Sequence, residues 1–217
     1  MPRRILASRG PDRETALEQY RRRASVYDLE LAFFEPIRRR AIASLGLRPG
    51  EVVLDVGCGT GLSLALLRQG VGPRGRVVGI EQSPEMLEQA RRRVTRARWS
   101  RVTLIRSPVE TADIPFRADA ALFHFTHDIL RRPESIANVL SRLKPGGRVV
   151  ASGLKWVAPG LTWAVNLLVL PAALRSVTSH DGMDQPWRLL QKQLGQMSVE
   201  TVLLGGAYIA RGVRAAR

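Results

Sequence analysis

From residue 52 onward, short apolar runs alternate with stretches of helical period. Val52–Leu54, Arg76–Ile80, Val102–Ile105, Ala118–Phe125 and Arg148–Ser152 are rich in β-branched or uninterrupted apolar residues and are predicted as strands. Between them, Leu62–Arg68 reads as a helix closed by Gly70 and Gly72. Another helix follows Ser83, an N-cap with Pro84 in the first turn and Leu87, Ala90 and Val94 on one face. Pro133–Leu143 is a third, stopped by Lys144-Pro145-Gly146-Gly147. Val199–Leu204 and Ala207–Val213 are predicted as a last strand pair joined by Gly205-Gly206. Residues 13–45 carry apolar positions at helical spacing, Leu17, Tyr20, Ala24 and Tyr27, then Leu31, Phe34, Ile42 and Leu45. They are predicted as two helices, with Pro36 marking a break or a start. Strands alternating with helices make a doubly wound, mostly parallel α/β sheet, whose ligands sit beyond the carboxyl ends of the strands.

The segment Val53-Leu54-Asp55-Val56-Gly57-Cys58-Gly59-Thr60-Gly61 carries the strongest chemical signal. Its G-x-G-x-G pattern is one residue short of the dinucleotide fingerprint, and no Gly-Lys-Ser/Thr follows to make a phosphate loop. Asp55, two residues before the first glycine, is awkward for a pyrophosphate and suits a ligand bearing an ammonium and a sulfonium. Glu81 ends the second strand at the distance usual for an acid that holds a ribose diol. Taken singly, Asp55 also reads as a loop-organising acid and Glu81 as an acid at a helix N-terminus.

With these residues the chain resembles the class I S-adenosylmethionine-dependent methyltransferases, over about residues 16–153. Val53–Gly61 matches that family's first motif, Glu81 within Val78–Leu87 its ribose-binding acid, and Leu143–Gly147 the turn before its fifth strand. Tyr20–Asp28 is similar to the N-terminal segment of the quinone- and phospholipid-type members. The resemblance implies a seven-stranded Rossmann-like sheet with a terminal antiparallel strand. It also implies one domain over 1–217, with cap helices at 11–47, a cofactor core at 48–153, a helical lid at 154–197 and a strand pair at 198–217. Asp55 and the backbone of Gly57 and Gly59, with Cys58 and Gly61 in the same loop, would hold the methionine end of S-adenosylmethionine. Glu81 would hold the ribose, with Gln82 and Met86 flanking ribose and adenine. Phe123 at the fourth strand, and Tyr20 and Tyr27 in the cap, would complete the cofactor site, and S-adenosylhomocysteine would be the product. Where the family often carries Gly-Asp-Ala, this chain has Ser107-Pro108-Val109-Glu110. Pro108 replaces the adenine-binding acid, leaving the Val109 N–H, with Glu110 as a substitute acceptor.

Methyl transfer at a sulfonium needs alignment above all, and a base only where the acceptor must lose a proton. The fourth strand ends in Phe123-His124-Phe125-Thr126-His127-Asp128, where His127 or His124 is a candidate base with Asp128 as its orienter. The alternative packs His124 beside the cofactor, with Thr126 or Asp128 capping the next helix. No cysteine-rich metal site is open to a chain whose only cysteine is Cys58, and no metal is expected.

The net charge of +15 comes almost wholly from arginine, lysine standing only at Lys144, Lys155 and Lys192. Such a field attracts anions, and the runs Arg21–Arg23, Arg38–Arg40 and Arg91–Arg93 read as solvated helix faces. Nucleic acid is disfavoured as substrate, because the Asn/Asp-Pro-Pro-aromatic signature of base-flipping members is missing. The uncharged stretch 156–174 reads as a lid or buried helix, with a membrane-skimming helix as the alternative. Trp156, Trp163 and Trp187 near it fit either core packing or an apolar acceptor pocket. The expected acceptor is small and hydrophobic. Phospholipid N-methylation at an anionic surface, and a module that binds the cofactor without turnover, are the alternatives. The basic N-terminus lacks a signal-peptide core, so a cytoplasmic protein, with peripheral membrane contact and a homodimer as options, is expected.

Overall fold

The computed structural model describes residues 32–157, 166 and 182–215. The expected first helix, Tyr20 and Tyr27, Arg21–Arg23, Trp163 and most of the 154–197 insert lie outside those residues.

A one-turn 3-10 helix at Ala32–Phe34 leads into α1 (Glu35–Ser44), with Pro36 in its first turn; the proline marks a start. Then come β1 (Val52–Val56), α2 (Leu64–Val71), β2 (Arg76–Glu81), α3 (Pro84–Arg96), β3 (Val102–Arg106), β4 (Ala118–His124), α4 (His127–Leu130) and α5 (Pro133–Arg142). The chain ends in β5 (Leu143–Leu154), α6 (Arg188–Leu194), β6 (Met197–Val202) and β7 (Ala207–Val213). Ser83 caps α3 as its sequence requires, its hydroxyl accepting from the Met86 N–H. Helix α2 runs past Gly70 and stops at Gly72, whose φ of +65° no other residue adopts cheaply. β5 begins five residues earlier than its apolar run, because Leu143 already pairs with Ala118 before a register shift.

The seven strands are ordered β3-β2-β1-β4-β5-β7-β6. β7 alone is antiparallel to the core strands, inserted between β5 and the edge strand β6. One face of the sheet is covered by α1, α2 and α3, through Ile37, Ala41, Leu45, Leu64, Leu67 and Ala90 on Val53, Val77, Leu122 and Val150. The other is covered by α4, α5 and α6, through Leu130, Ile136, Val139 and Leu190 on Leu54, Ile80, Phe123 and Ala151. Both faces being apolar explains why the central strands lack polar alternation. The order reverses between β1 and β4, so a crevice opens where Asp55 and His124 end their strands. Among the described residues no helix is long and apolar enough to cross a membrane.

Candidate functional site

Strand alternation decides which side chains reach the crevice. On β1, Asp55 shares the side of Val53; on β4, His124 shares the side of Ala120 and Leu122; on β5, Ser152 shares the side of Val150. All three therefore stand on the face covered by α1. Phe123 points the other way and is sealed in the opposite core layer. Its expected place at the cofactor is corrected accordingly: one residue along a strand is one face away.

The glycine loop is held by its own backbone. The N–H groups of Gly57 and Cys58 both donate to the Ile80 carbonyl, at 2.8 and 3.0 Å, and that of Gly61 donates to Cys58 at 2.9 Å. The Gly59 N–H donates to Glu81 Oε2 at 3.1 Å. These amides are used inside the protein, so Gly57 and Gly59 do not offer N–H groups to a ligand as the sequence suggested. A phosphate wants donors; this loop instead leaves acceptors. Gly57 has φ +70°, and a Cβ there would lie 2.7 Å from Thr126 Cγ2 and 2.8 Å from Ile129 Cδ1, so α4 packs directly on the loop. Arg93 clamps it from α3, Nε donating to the Thr60 carbonyl at 2.9 Å. Cys58 is buried, with Sγ close over Gly79, and its thiol is held well above the ordinary range by burial and by the Asp55 and Glu81 carboxyls.

Asp55 is 2% exposed, and its Oδ2 has no hydrogen-bond partner among the described residues. Burial pushes its carboxyl up to about 7; the Arg38 guanidinium pulls down and the Glu81 carboxylate adds a smaller push up. Such a group favours any ligand that brings a cation. Glu81 accepts one backbone hydrogen bond on each oxygen, from Ser83 N–H at 2.8 Å and from Gly59. A carboxylate has roughly four acceptor positions, so one on each oxygen remains for a pair of hydroxyls. Burial raises Glu81, while the amides of Ser83, Gly59 and Gln82 oppose that rise. It is both a loop organiser and a free bidentate acceptor. Gln82 is half-buried beside it and Met86 almost wholly buried in the first turn of α3.

The segment after β3 is anchored to α5: Asn138 Nδ2 donates to the Val109 and Ala112 carbonyls at 2.7 and 3.0 Å. Glu110 accepts from Ser135 Oγ at 3.1 Å and lies 3.8 Å from Arg132. Its carboxylate is thus engaged toward α5, which weakens its expected role as a substitute acceptor for adenine. Pro108 stands half-buried at the loop's rim and Val109 is buried behind it.

At the end of β4, His124 Nδ1 lies 2.8 Å from Ser152 Oγ, and Nε2 is buried without a partner among the described residues. Burial, aided by Arg38, pushes this imidazole down to about 3, so it is neutral at physiological pH. Phe125 next to it has φ +57°, a conformation strained for a bulky side chain. This turn lays its ring 5.0 Å from Phe34 and 4.7 Å from His124. Thr126 sits at the N-cap position of α4 but makes no side-chain cap; its hydroxyl is buried without a partner among the described residues, and its methyl faces Gly57. The capping expected of Thr126 fails because its backbone, at ψ +47°, is not in the extended cap geometry. His127 and Asp128 open α4, with His127 buried.

Sequence reasoning missed Arg38, Ser152, Thr126 and Phe34. Arg38–Arg40 was expected as a solvated face, yet Arg38 is 3% exposed, while Arg39 and Arg40 point outward. The signal was present: Arg38 falls four residues after Phe34, on the apolar stripe. Trp187 packs in the core at 4.8 Å from Tyr208, and Trp156 lies against the α1 face. Among the described residues no cluster of three or more His, Cys, Asp or Glu could hold a metal.

Residues 53–147 match the family model described as a methyltransferase domain. The chain is similar to aklanonic acid methyltransferase DauC of Streptomyces sp. (strain C5), 33% identical over 130 residues, 58% of this chain and 59% of that protein. It is also similar to demethylmenaquinone methyltransferase of Symbiobacterium thermophilum, 31% identical over 121 residues, 54% of this chain and 48% of that one. The matches thus span about half the length of these relatives. In structure it is similar to the N-methyltransferase NodS of Bradyrhizobium japonicum WM9 in complex with S-adenosyl-L-homocysteine, with TM-score 0.67 and 16% identity over 92% of this chain and 98% of that one. A SAM-dependent methyltransferase of Aquifex aeolicus gives TM-score 0.57 and 21% identity over 81% and 88%. At such identities the likeness establishes the fold.

Proposed function

Because residues 53–147 belong to the methyltransferase-domain family, we propose that this chain transfers a methyl group from S-adenosylmethionine to a small hydrophobic acceptor. One observation carries the reading: a buried carboxylate without a partner, Asp55, stands over a loop whose amides are already bonded. That donor-poor, acceptor-rich cradle fits an ammonium beside a sulfonium and repels a phosphate.

When bound, the cofactor supplies a methyl group already activated for in-line displacement. Asp55 takes the amino acid's ammonium. The free acceptor positions of Glu81 take the ribose hydroxyls, and Gln82, Met86, Pro108 and Val109 border ribose and adenine. The partnerless Nε2 of His124 holds the acceptor's hydroxyl or amino hydrogen. An imidazole held this far below its ordinary range is a weak proton sink. Its part is therefore to aim the acceptor, and His127 is the second candidate. Phe34, Phe125 and Trp156 pack along the same face and support an apolar acceptor.

Calorimetry tests the cofactor reading: S-adenosylhomocysteine should bind, and NAD and ATP should not. Tight binding of NAD or ATP with no heat from S-adenosylhomocysteine would overturn it. Labelled-methyl transfer across a panel of phenols, quinones, amines and lipids then tests the acceptor class. Binding with no transfer to any of them would favour a module without turnover.

A further inference from the structure

Arg38 is a buried guanidinium on the helix that covers the crevice. A buried cation needs anions around it. Glu35, one turn earlier, accepts from Arg38 Nη1, but its other oxygen lies 3.0 Å from Arg39 Nε. One carboxylate is thus shared by two guanidinium groups, and net positive charge remains on the inward side of α1.

Geometry says where that charge is directed. Phe34 and Arg38 lie four residues apart, on one stripe. Phe34 reaches the end of β4, through Phe125 to His124. α1 packs on β4, β5 and β7, over the face where Asp55, His124 and Ser152 replace the apolar residues below them. The Arg38 charge is felt at both titratable groups: it opposes the burial of the Asp55 carboxylate and disfavours a proton on His124.

We propose that Arg38 is a positioning residue that sets the charge on both halves of the site, favouring a carboxylate at Asp55 and a neutral imidazole at His124. The proposal rests on the cofactor reading above. It makes one side chain responsible for the donor's anchor and for the group that aims the acceptor. Around Asp55 stand Arg38 from α1, Glu81 from β2 and the protonated thiol of Cys58. Around His124 stand Arg38 and the hydroxyl of Ser152, with His127 and Asp128 following on α4. Glu81 works against Arg38 at Asp55, so Arg38 is the cation that offsets it.

The test compares wild type with R38Q, R38K and E35Q. The affinity for S-adenosylhomocysteine is measured by calorimetry from about pH 5.5 to about 9. In R38Q the midpoint of its rise with pH should move up by about one unit, with affinity near pH 7 falling roughly tenfold and recovering at high pH. R38K should restore the wild-type profile. E35Q keeps the guanidinium but removes its competing anion, so its midpoint should move the opposite way, to lower pH. In parallel, histidine NMR of the free protein should show His124 gaining a proton at a higher pH in R38Q than in wild type. Superimposable profiles for wild type and R38Q, or an upward or absent shift in E35Q, would overturn the proposal even if melting temperatures changed. Should R38Q fail to fold, E35Q and R38K decide alone. If the wild type binds no S-adenosylhomocysteine at any pH, the functional reading fails and takes the Asp55 half with it. An unchanged His124 titration would refute the other half independently.

Discussion

His124 and Ser152 face each other across the β4–β5 pair, with Nδ1 2.8 Å from Oγ, and the ring's other nitrogen turned into a buried space. This contact fixes the imidazole plane before any acceptor arrives. H124Q should lower kcat while leaving affinity for S-adenosylhomocysteine within about twofold, because the ring aims the acceptor and does not hold the donor. S152A should lower kcat less, by about threefold to tenfold, through loss of one hydrogen bond. Steady-state kinetics with calorimetry separates the effects. If H124Q and H127Q each keep turnover within about threefold, neither imidazole takes part in the reaction.

Asp55 offers a split between binding and stability. D55N removes the charge that a cationic ligand answers, and should weaken S-adenosylhomocysteine binding about tenfold to a hundredfold, the range of a charged hydrogen bond. The same change relieves a buried carboxyl of its desolvation cost, so the melting temperature of the free protein should stay level or rise. A loss of binding accompanied by a fall in melting temperature would point to a structural role.

Proton linkage gives a third check. The free protein holds a proton on Asp55 up to about pH 7. Binding of an ammonium group should expel that proton, so affinity should rise with pH and level off above about 7. Calorimetry in buffers of different ionisation enthalpy should register proton release at pH 6 and little at pH 8. Stability follows the opposite course. Between the ordinary carboxylate range and about 7 the unfolded chain has lost this proton and the folded chain keeps it, so Asp55 makes the free protein less stable as pH rises. D55N should therefore gain on wild type in melting temperature from pH 4 to pH 8. His124 contributes with the other sign: its imidazole, held near 3 when folded, favours the unfolded chain as pH falls below its ordinary value.

G57A tests the fit of loop to helix. The backbone at φ +70° costs a side chain about 1–3 kcal/mol. The new methyl would also meet Thr126 and Ile129. Urea unfolding should show a loss of at least that size, and α4 should be displaced from the loop.

Much of this arrangement was readable in the sequence because strand residues between two helical layers must be apolar on both sides. The five parallel strands, the Ser83 cap and the strand pair at the end followed from that rule and from local turn chemistry. Asp55 and Glu81 stood out as the acids that interrupt apolar runs. What stayed hidden depended on the third dimension. Phe123 and His124 are neighbours in the chain but belong to opposite faces, which the run Ala118–Phe125 does not declare because it is apolar throughout. The amides of Gly57 and Cys58 looked available until Ile80 was seen to occupy them. Arg38 looked like one of three surface arginines, since nothing local distinguishes a buried guanidinium from its solvated neighbours.

The internally bonded glycine loop also bears on how the crevice would be entered. A cradle whose hydrogen bonds are complete beforehand loses little conformational freedom when occupied. Association there should be fast and should leave β1, β2 and the loop superimposable between the empty and filled forms. Compounds selected against this half of the crevice would meet a rigid mould, and rigid analogues of the amino acid and ribose should outperform flexible ones of equal contact area.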